Sequence, residues 1–234
     1  MDFANRHVVV TGGTGALGAA VVARLIAAGA TCHVPNFDAA ELSRFPHASD
    51  PRVRIANGVD LADEASVVGF YRALPSLWAS IHIAGGFAMT PIAETSAADF
   101  RHMMRMNALT CFLCCREAVT RIRATGAGGG RIINVSARPG IEPRHGAGMT
   151  SYAASKAAVA ALTQALAEEL APEGIWVNAI VPATLDTLAN RASMPKADFT
   201  KWARLEDVAE VAAFLASPDN RVTRGGLVPV YGRS

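Results

Sequence analysis

Short, mostly apolar runs alternate with longer Ala- and Leu-rich segments along this whole chain, and that alternation limits the folds open to it. The runs are residues 7–10, 31–34, 53–55, 79–83, 131–135, 175–181 and 227–230. Strands that are apolar throughout, rather than at every second residue, are buried on both faces, which implies a parallel sheet covered by helices on both sides. The segments between them read as helices. One follows Gly15 and stops at Gly29, a second covers residues 64–73, and a long one opens at Ser96 and Asp99 in capping-box spacing. An Ala-rich helix runs over 152–170 and ends before Pro172, while 126–130 reads as a loop. Right-handed crossovers wind such units into an α/β, doubly wound, three-layer fold with a seven-stranded parallel sheet, whose ligands bind at the carboxyl ends of the strands. The 234 residues show no internal repeat and no linker, so a single domain over 1–234 is expected.

Composition removes several classes of function. The 22 Lys+Arg nearly cancel the 20 Asp+Glu and form no basic cluster, so a nucleic-acid partner is not expected. No apolar stretch reaches the roughly 18–20 residues of a membrane span, and a strand-like segment begins too early for a signal peptide. Cys111, Cys114 and Cys115 are bunched on one predicted helix without a histidine at ligand spacing, so buried apolar thiols are expected and no metal. The cysteine pattern is not a disulfide framework, which makes a reducing, cytoplasmic setting the default. His33, His82 and His102 show no partner in the sequence.

Between the first strand and the first helix lies Thr11-Gly12-Gly13-Thr14-Gly15-Ala16-Leu17-Gly18. Glycines there permit a tight turn and let backbone N–H groups approach a pyrophosphate at a helix N-terminus. Position and spacing favour a dinucleotide site over a merely structural turn. At the end of the second strand an acid would favour NAD and a base NADP; Asn36 is neither, which leaves the choice open.

Tyr152 and Lys156 stand four residues apart, on one face of a helix. A free tyrosine, with a pKa near ~10, is a poor proton shuttle at neutral pH. Lowering it by about 3 units needs roughly 4 kcal/mol, about the attraction of one unit charge at ~4 Å and an effective dielectric near ~20. A neighbouring ammonium can contribute that.

Together these residues resemble the classical short-chain dehydrogenase/reductase family over nearly the whole chain. The resemblance rests on Thr11–Gly18, Asp60-Leu61, Ala84-Gly85-Gly86, Asn107, Tyr152–Lys156, Asn178 and Pro182–Thr187. It implies a Rossmann fold, with Tyr152 as acid/base and Lys156 lowering its pKa and holding the nicotinamide ribose. It also implies Asn107 keeping a water in a proton relay. Gly12, Thr14, Gly15, Leu17, Gly18 and Asn36 would line the cofactor site, with Asp60 and Leu61 at adenine. Ala84, Gly85 and Gly86 would line it too, and Pro182, Leu185 and Thr187 would meet the carboxamide. A homotetramer or homodimer is implied as well.

The departures shape the expectation. Ala16 takes a glycine position, His82-Ile83 replace two asparagines, Ala183 replaces glycine, and Ala137 stands where the family has a substrate-orienting serine. Losing such a donor costs about 2.7–4 kcal/mol in the barrier. Three explanations stay open: Ser136 takes the role, Arg138 or His145 supplies another donor, or the substrate is electron-poor enough to need less help. The segment Thr184-Leu185-Asp186-Thr187, Asn190-Arg191, Met194-Pro195, Ala197-Asp198-Phe199 and Trp202 is similar to dihydropteridine reductase. That subgroup also resembles this chain at Gly15–Gly18, Ala84–Gly86 and Phe87, and has alanine for the serine. It has an acid where Asn36 stands and lacks the Asn107 equivalent.

The expected function is NAD(P)-dependent hydride transfer to or from a small carbonyl, imine or quinonoid substrate. The alternatives are a quinonoid dihydropteridine reductase-like enzyme or a catalytically weakened dinucleotide-binding sensor. With no separate substrate domain, specificity falls to a loop over about 183–204, helped by 87–94 and 138–150, where Arg138, Arg144 and His145 hint at an anionic or electron-rich substrate.

Overall fold

A computed structural model describes every residue except Ala127, so that part of the expected 126–130 loop lies outside the described residues. Seven parallel strands form one sheet in the order β3-β2-β1-β4-β5-β6-β7. They are β1 (His7–Thr11), β2 (Thr31–Asn36), β3 (Val53–Asn57), β4 (Ala79–His82), β5 (Gly130–Val135), β6 (Ile175–Pro182) and β7 (Leu227–Val230). The helices are α1 (Ala16–Ala27), α2 (Glu64–Arg72), α3 (Ala97–Met103), α4 (Thr110–Thr125), α5 (Arg138–Ile141), α6 (Thr150–Glu169), α7 (Leu188–Ser193) and α8 (Leu205–Ala216).

Consecutive strand residues enter different cores, as a pleated strand requires. Val8 and Val10 pack with α1 and α8, whereas Val9 packs with Tyr71, Leu113 and Cys114 on the opposite face. Ile133 and Ile132 divide in the same way. Both faces of the inner strands are thus dry, which is why they read as mostly apolar runs. The strand order reverses between β1 and β4, so the ends of these two strands diverge into a crevice at the carboxyl edge.

Two expectations change. Gly130 belongs to β5 rather than to the preceding loop: its N–H bonds the Gly174 carbonyl and its register partner is Ile175. A Cβ there would lie 2.8 Å from the Ile122 side chain and 3.1 Å from the Trp78 carbonyl oxygen, so a larger residue would have to displace its neighbours. The long helix opened by Ser96 is not uniform. The capping box forms as expected, but residues Met104–Leu109 adopt a π-helical turn between α3 and α4. Such turns widen the helix locally and are found often at functional sites.

Away from the crevice, His7 Nδ1 and His33 Nε2 lie 2.8 Å apart, and burial, with His7 and Arg54 adding to it, lowers the His33 pKa to about 4. Its folded pKa is below the unfolded value, so the stability involved is complete above about pH 6.5 and is lost as pH falls towards 4. Urea denaturation at pH 7 and pH 4.5 is expected to show a loss on the order of 2 kcal/mol from this site. The loss should be smaller in His33→Gln; an equal loss in the two proteins would remove the pair as its cause.

Candidate active site

The crevice is built by close backbone approaches that only glycine permits. Gly12 sits at φ 64°, and a Cβ there would lie 2.8 Å from Ala84 N at the end of β4. Thr11 Oγ1 accepts a hydrogen bond from that same Ala84 N–H, which ties the two strand ends together. At Gly18 a Cβ would fall 2.0 Å from the Gly12 carbonyl oxygen and 2.6 Å from Gly13 Cα. The turn is therefore a compact cradle at the N-terminus of α1, where Gly15 carries no side-chain cap and the first N–H groups stay available to an anion. Ala16, the first residue of α1, is exposed.

At the far end of β2, Asn36 is buried. Its Nδ2 donates to the Asp38 carbonyl at 3.0 Å and to Asn57 Oδ1 at 3.3 Å, while its own Oδ1 has no partner among the described residues. An unpaired buried acceptor is costly, so this atom is poised for a ligand donor. The Thr14 hydroxyl donates to Glu41, which brings an acid to the edge of the same region. Asp60 accepts from Ala62 N and pairs with Arg105 at 3.2 Å, and Leu61 is half-buried beside it. A glycine cradle, a free helix N-terminus and an orphan acceptor one strand away fit a dinucleotide cofactor.

The catalytic candidates converge on the other side of the crevice. Lys156 is buried and its Nζ donates to the Val135 carbonyl, the last residue of β5, at 2.9 Å. The same Nζ is 6.0 Å from the Tyr152 ring centroid, and Phe87 packs edge-on against that ring at 5.0 Å. Burial brings Lys156 down to about 8, with the Cys111 thiol opposing it, and raises Tyr152 to about 12. Burial of the phenol sets the direction of the Tyr152 shift, and one of the Lys156 ammonium donors is engaged by the Val135 carbonyl.

Asn107 lies in the π-helical turn and is buried. Its side chain is used up in holding the crevice: Oδ1 accepts from Gly86 N, and Nδ2 donates to Gly86 O and to Ser155 Oγ, each at 3.0 Å. A Cβ on Gly85 would lie 2.5 Å from that Oδ1. Ser155, which sequence reasoning passed over, accepts this bond and donates to the Tyr152 carbonyl at 2.8 Å. It couples the π-helical turn to the Tyr152 helix. Its place between Tyr152 and Lys156 was the one available signal.

Ser136 does not replace the missing hydroxyl, because it is buried and donates to the Lys156 carbonyl at 2.8 Å. Arg138 is engaged too: its Nε bonds Glu142 at 2.9 Å and its guanidinium stacks over Tyr231. His145 lies 3.4 Å from the same carboxylate, so Glu142 offsets part of the positive excess expected here. Pro182 ends β6, Leu185 pairs with Ala203, and Thr187 caps α7. Hydrogen bonds between Ala203 and Thr184 and between Asp186 and Ala203 close the base of the 184–203 loop.

His82 has partners after all. Its Nδ1 is 2.8 Å from Asn134 Oδ1 and its Nε2 is 2.8 Å from Ser80 Oγ, while Cys111 and Cys115 approach from α4. All four cysteines are buried free thiols.

A short chain dehydrogenase family model matches residues 6–198. A short-chain type dehydrogenase/reductase of Picea abies is 30% identical over 97% of this chain and 91% of its own length. The cis-4-hydroxycyclohexanecarboxylate dehydrogenase of Sinomonas cyclohexanicum is 32% identical over 98% of this chain and 96% of its own. Among solved structures, a dehydrogenase/reductase of Sinorhizobium meliloti superposes with TM-score 0.85 at 29% identity, covering 99% of this chain and 95% of that one. The crevice at the strand reversal and these matches lead to one assignment: the chain belongs to the short-chain dehydrogenase/reductase family of NAD(P)(H)-linked oxidoreductases that act on small substrates.

Proposed function

We propose that the chain is an NAD(H)-preferring oxidoreductase that reduces or forms a small carbonyl, imine or quinonoid group, with Tyr152 handling the proton. The observation that carries this reading is the half-buried Tyr152 phenol, one helical turn from the buried Lys156 ammonium, at the mouth of the glycine crevice. In it, the N–H groups at Thr14, Leu17 and Gly18 take the pyrophosphate where it passes Gly15, Asp60 and Leu61 take adenine, and Ala84–Gly86 take the ribose beyond. Pro182, Leu185 and Thr187 hold the carboxamide. A bound nicotinamide supplies or takes the hydride.

Asn36 favours NAD(H). Its unpaired Oδ1 can accept from a ribose hydroxyl, whereas a phosphate there would meet that acceptor and the Glu41 carboxylate. Lys156 steadies a developing phenolate at Tyr152 Oη. A phenol raised by burial keeps its proton until a substrate oxygen or nitrogen needs it. Ser155 and Asn107 position Tyr152 through Gly86 and their mutual bond. Exposed Phe100, Leu109 and Phe112 support association into a dimer or tetramer.

Ala137 favours a second, narrower reading. With Ser136 and Arg138 both engaged elsewhere, a substrate that accepts hydride without a serine donor fits best, and a quinonoid dihydropterin-type ring is one. A panel of ketones, aldehydes, imines and quinonoid rings, assayed with NADH and NADPH, separates the readings. Turnover confined to activated rings supports the narrower one. Comparable rates on plain ketones remove it, and inactivity on all of them despite tight nucleotide binding removes the enzymatic reading.

A further inference from the structure

We propose that His82, Cys111 and Cys115, with Asn134 as the fourth donor, form a buried structural site for a thiophilic divalent cation of the zinc type. One ring nitrogen of His82 and the two Sγ atoms all lie within 4.8 Å of one another. The donors come from three elements by simple geometry. His82 and Asn134 are register partners on the adjacent strands β4 and β5, so their side chains share one face of the sheet. Cys111 and Cys115 are one turn apart on α4, so both thiols point down onto that face. The Cys115 sulfur is 3.5 Å from His82 Nδ1 and 3.4 Å from Asn134 Oδ1.

The surroundings suit a metal-bound imidazole. Nε2 faces Ser80 Oγ at 2.8 Å and Tyr71 Oη at 3.3 Å, so it can donate its proton outward and leave Nδ1 free to ligate. Asn134 Nδ2 donates to Thr163 Oγ1 at 2.9 Å, which fixes the amide with its oxygen towards the cluster. Without a cation, Nδ1 donates to Asn134 Oδ1 at 2.8 Å. Two donors on one tetrahedral zinc stand about 3.3 Å apart, so loading needs a separation of roughly half an ångström at this pair.

Charge selects the ion. Uptake of one divalent cation with release of two thiol protons to solvent leaves the buried cluster with its original net charge, so no unpaired charge is buried. Hard cations prefer oxygen cages, and this set offers two sulfurs and one nitrogen. The site sits under the first turn of α4, directly after the π-helical turn that carries Asn107, and would pin that turn to the sheet.

Because the donors are buried, loading accompanies folding. Full-length chain stripped by chelator in denaturant, then refolded with Co2+, is expected to bind one equivalent with sulfur-to-cobalt charge-transfer absorption that Zn2+ abolishes. Cys111→Ser should lose that absorption, and Ser80→Ala should weaken Co2+ binding about 10–100-fold while leaving the spectrum intact. The proposal is overturned if folded wild type takes up no more Co2+ than folded Cys111→Ser, or binds it without sulfur bands. If Cys111→Ser does not fold, the metal content of wild type refolded in Zn2+ decides: about one zinc per chain after desalting is expected, and none overturns the proposal.

Discussion

Tyr152→Phe is expected to lower kcat by about 10²–10⁴-fold on any substrate the wild type turns over, because it removes the proposed proton donor and little else. The phenyl ring that remains can keep the edge-on contact with Phe87, and among the described residues no hydrogen bond depends on the hydroxyl. Nucleotide affinity should therefore stay within about threefold of wild type, a difference of at most about 0.7 kcal/mol. Steady-state kinetics and a nucleotide titration on the same preparation check both halves. A variant that retains full turnover would remove Tyr152 from the chemistry, whereas loss of nucleotide binding would mean that the substitution had disturbed the crevice.

Gly18→Ala should strike the other half of the site. The added Cβ would meet the Gly12 carbonyl at 2.0 Å and Gly13 Cα at 2.6 Å, and both are backbone atoms that no rotamer change can move. The turn must open, at a cost of about 1–3 kcal/mol in stability. If the opened turn loses a similar amount of phosphate contact, nucleotide affinity falls roughly 10–100-fold. Gly69→Ala, in α2, is the control, because a Cβ there meets nothing within 4 Å. Its affinity should match wild type. Equal losses in the two variants would argue against the close Gly12–Gly18 approach as the basis of binding.

The sheet was legible because its determinants are local. The five inner strands β2, β1, β4, β5 and β6 are buried on both faces, so a run such as Val8-Val9-Val10 announces itself without knowledge of its neighbours. The glycine turn and the Tyr152–Lys156 spacing are local as well. What escaped was set by contacts between distant segments. Gly130 looked like loop until its clash partner Ile122 placed it at the start of β5. The π-helical turn follows from the hydrogen bonds of Asn107 to Gly86 and Ser155, which join three elements. Ser136 offered a replacement hydroxyl on paper, yet alternation along the strand end turns it inward onto the Lys156 carbonyl. His82 showed no partner because its partners lie on β5 and α4.

Every role given to the crevice depends on its holding a dinucleotide and favouring NAD(H), and calorimetric titration of the wild type with NADH and with NADPH decides both points. Saturable binding of one NADH per chain is expected, with NADPH weaker by at least about tenfold, or about 1.4 kcal/mol. Tighter binding of NADPH would overturn the role given to Asn36 and Glu41, and binding of neither nucleotide would overturn the crevice itself.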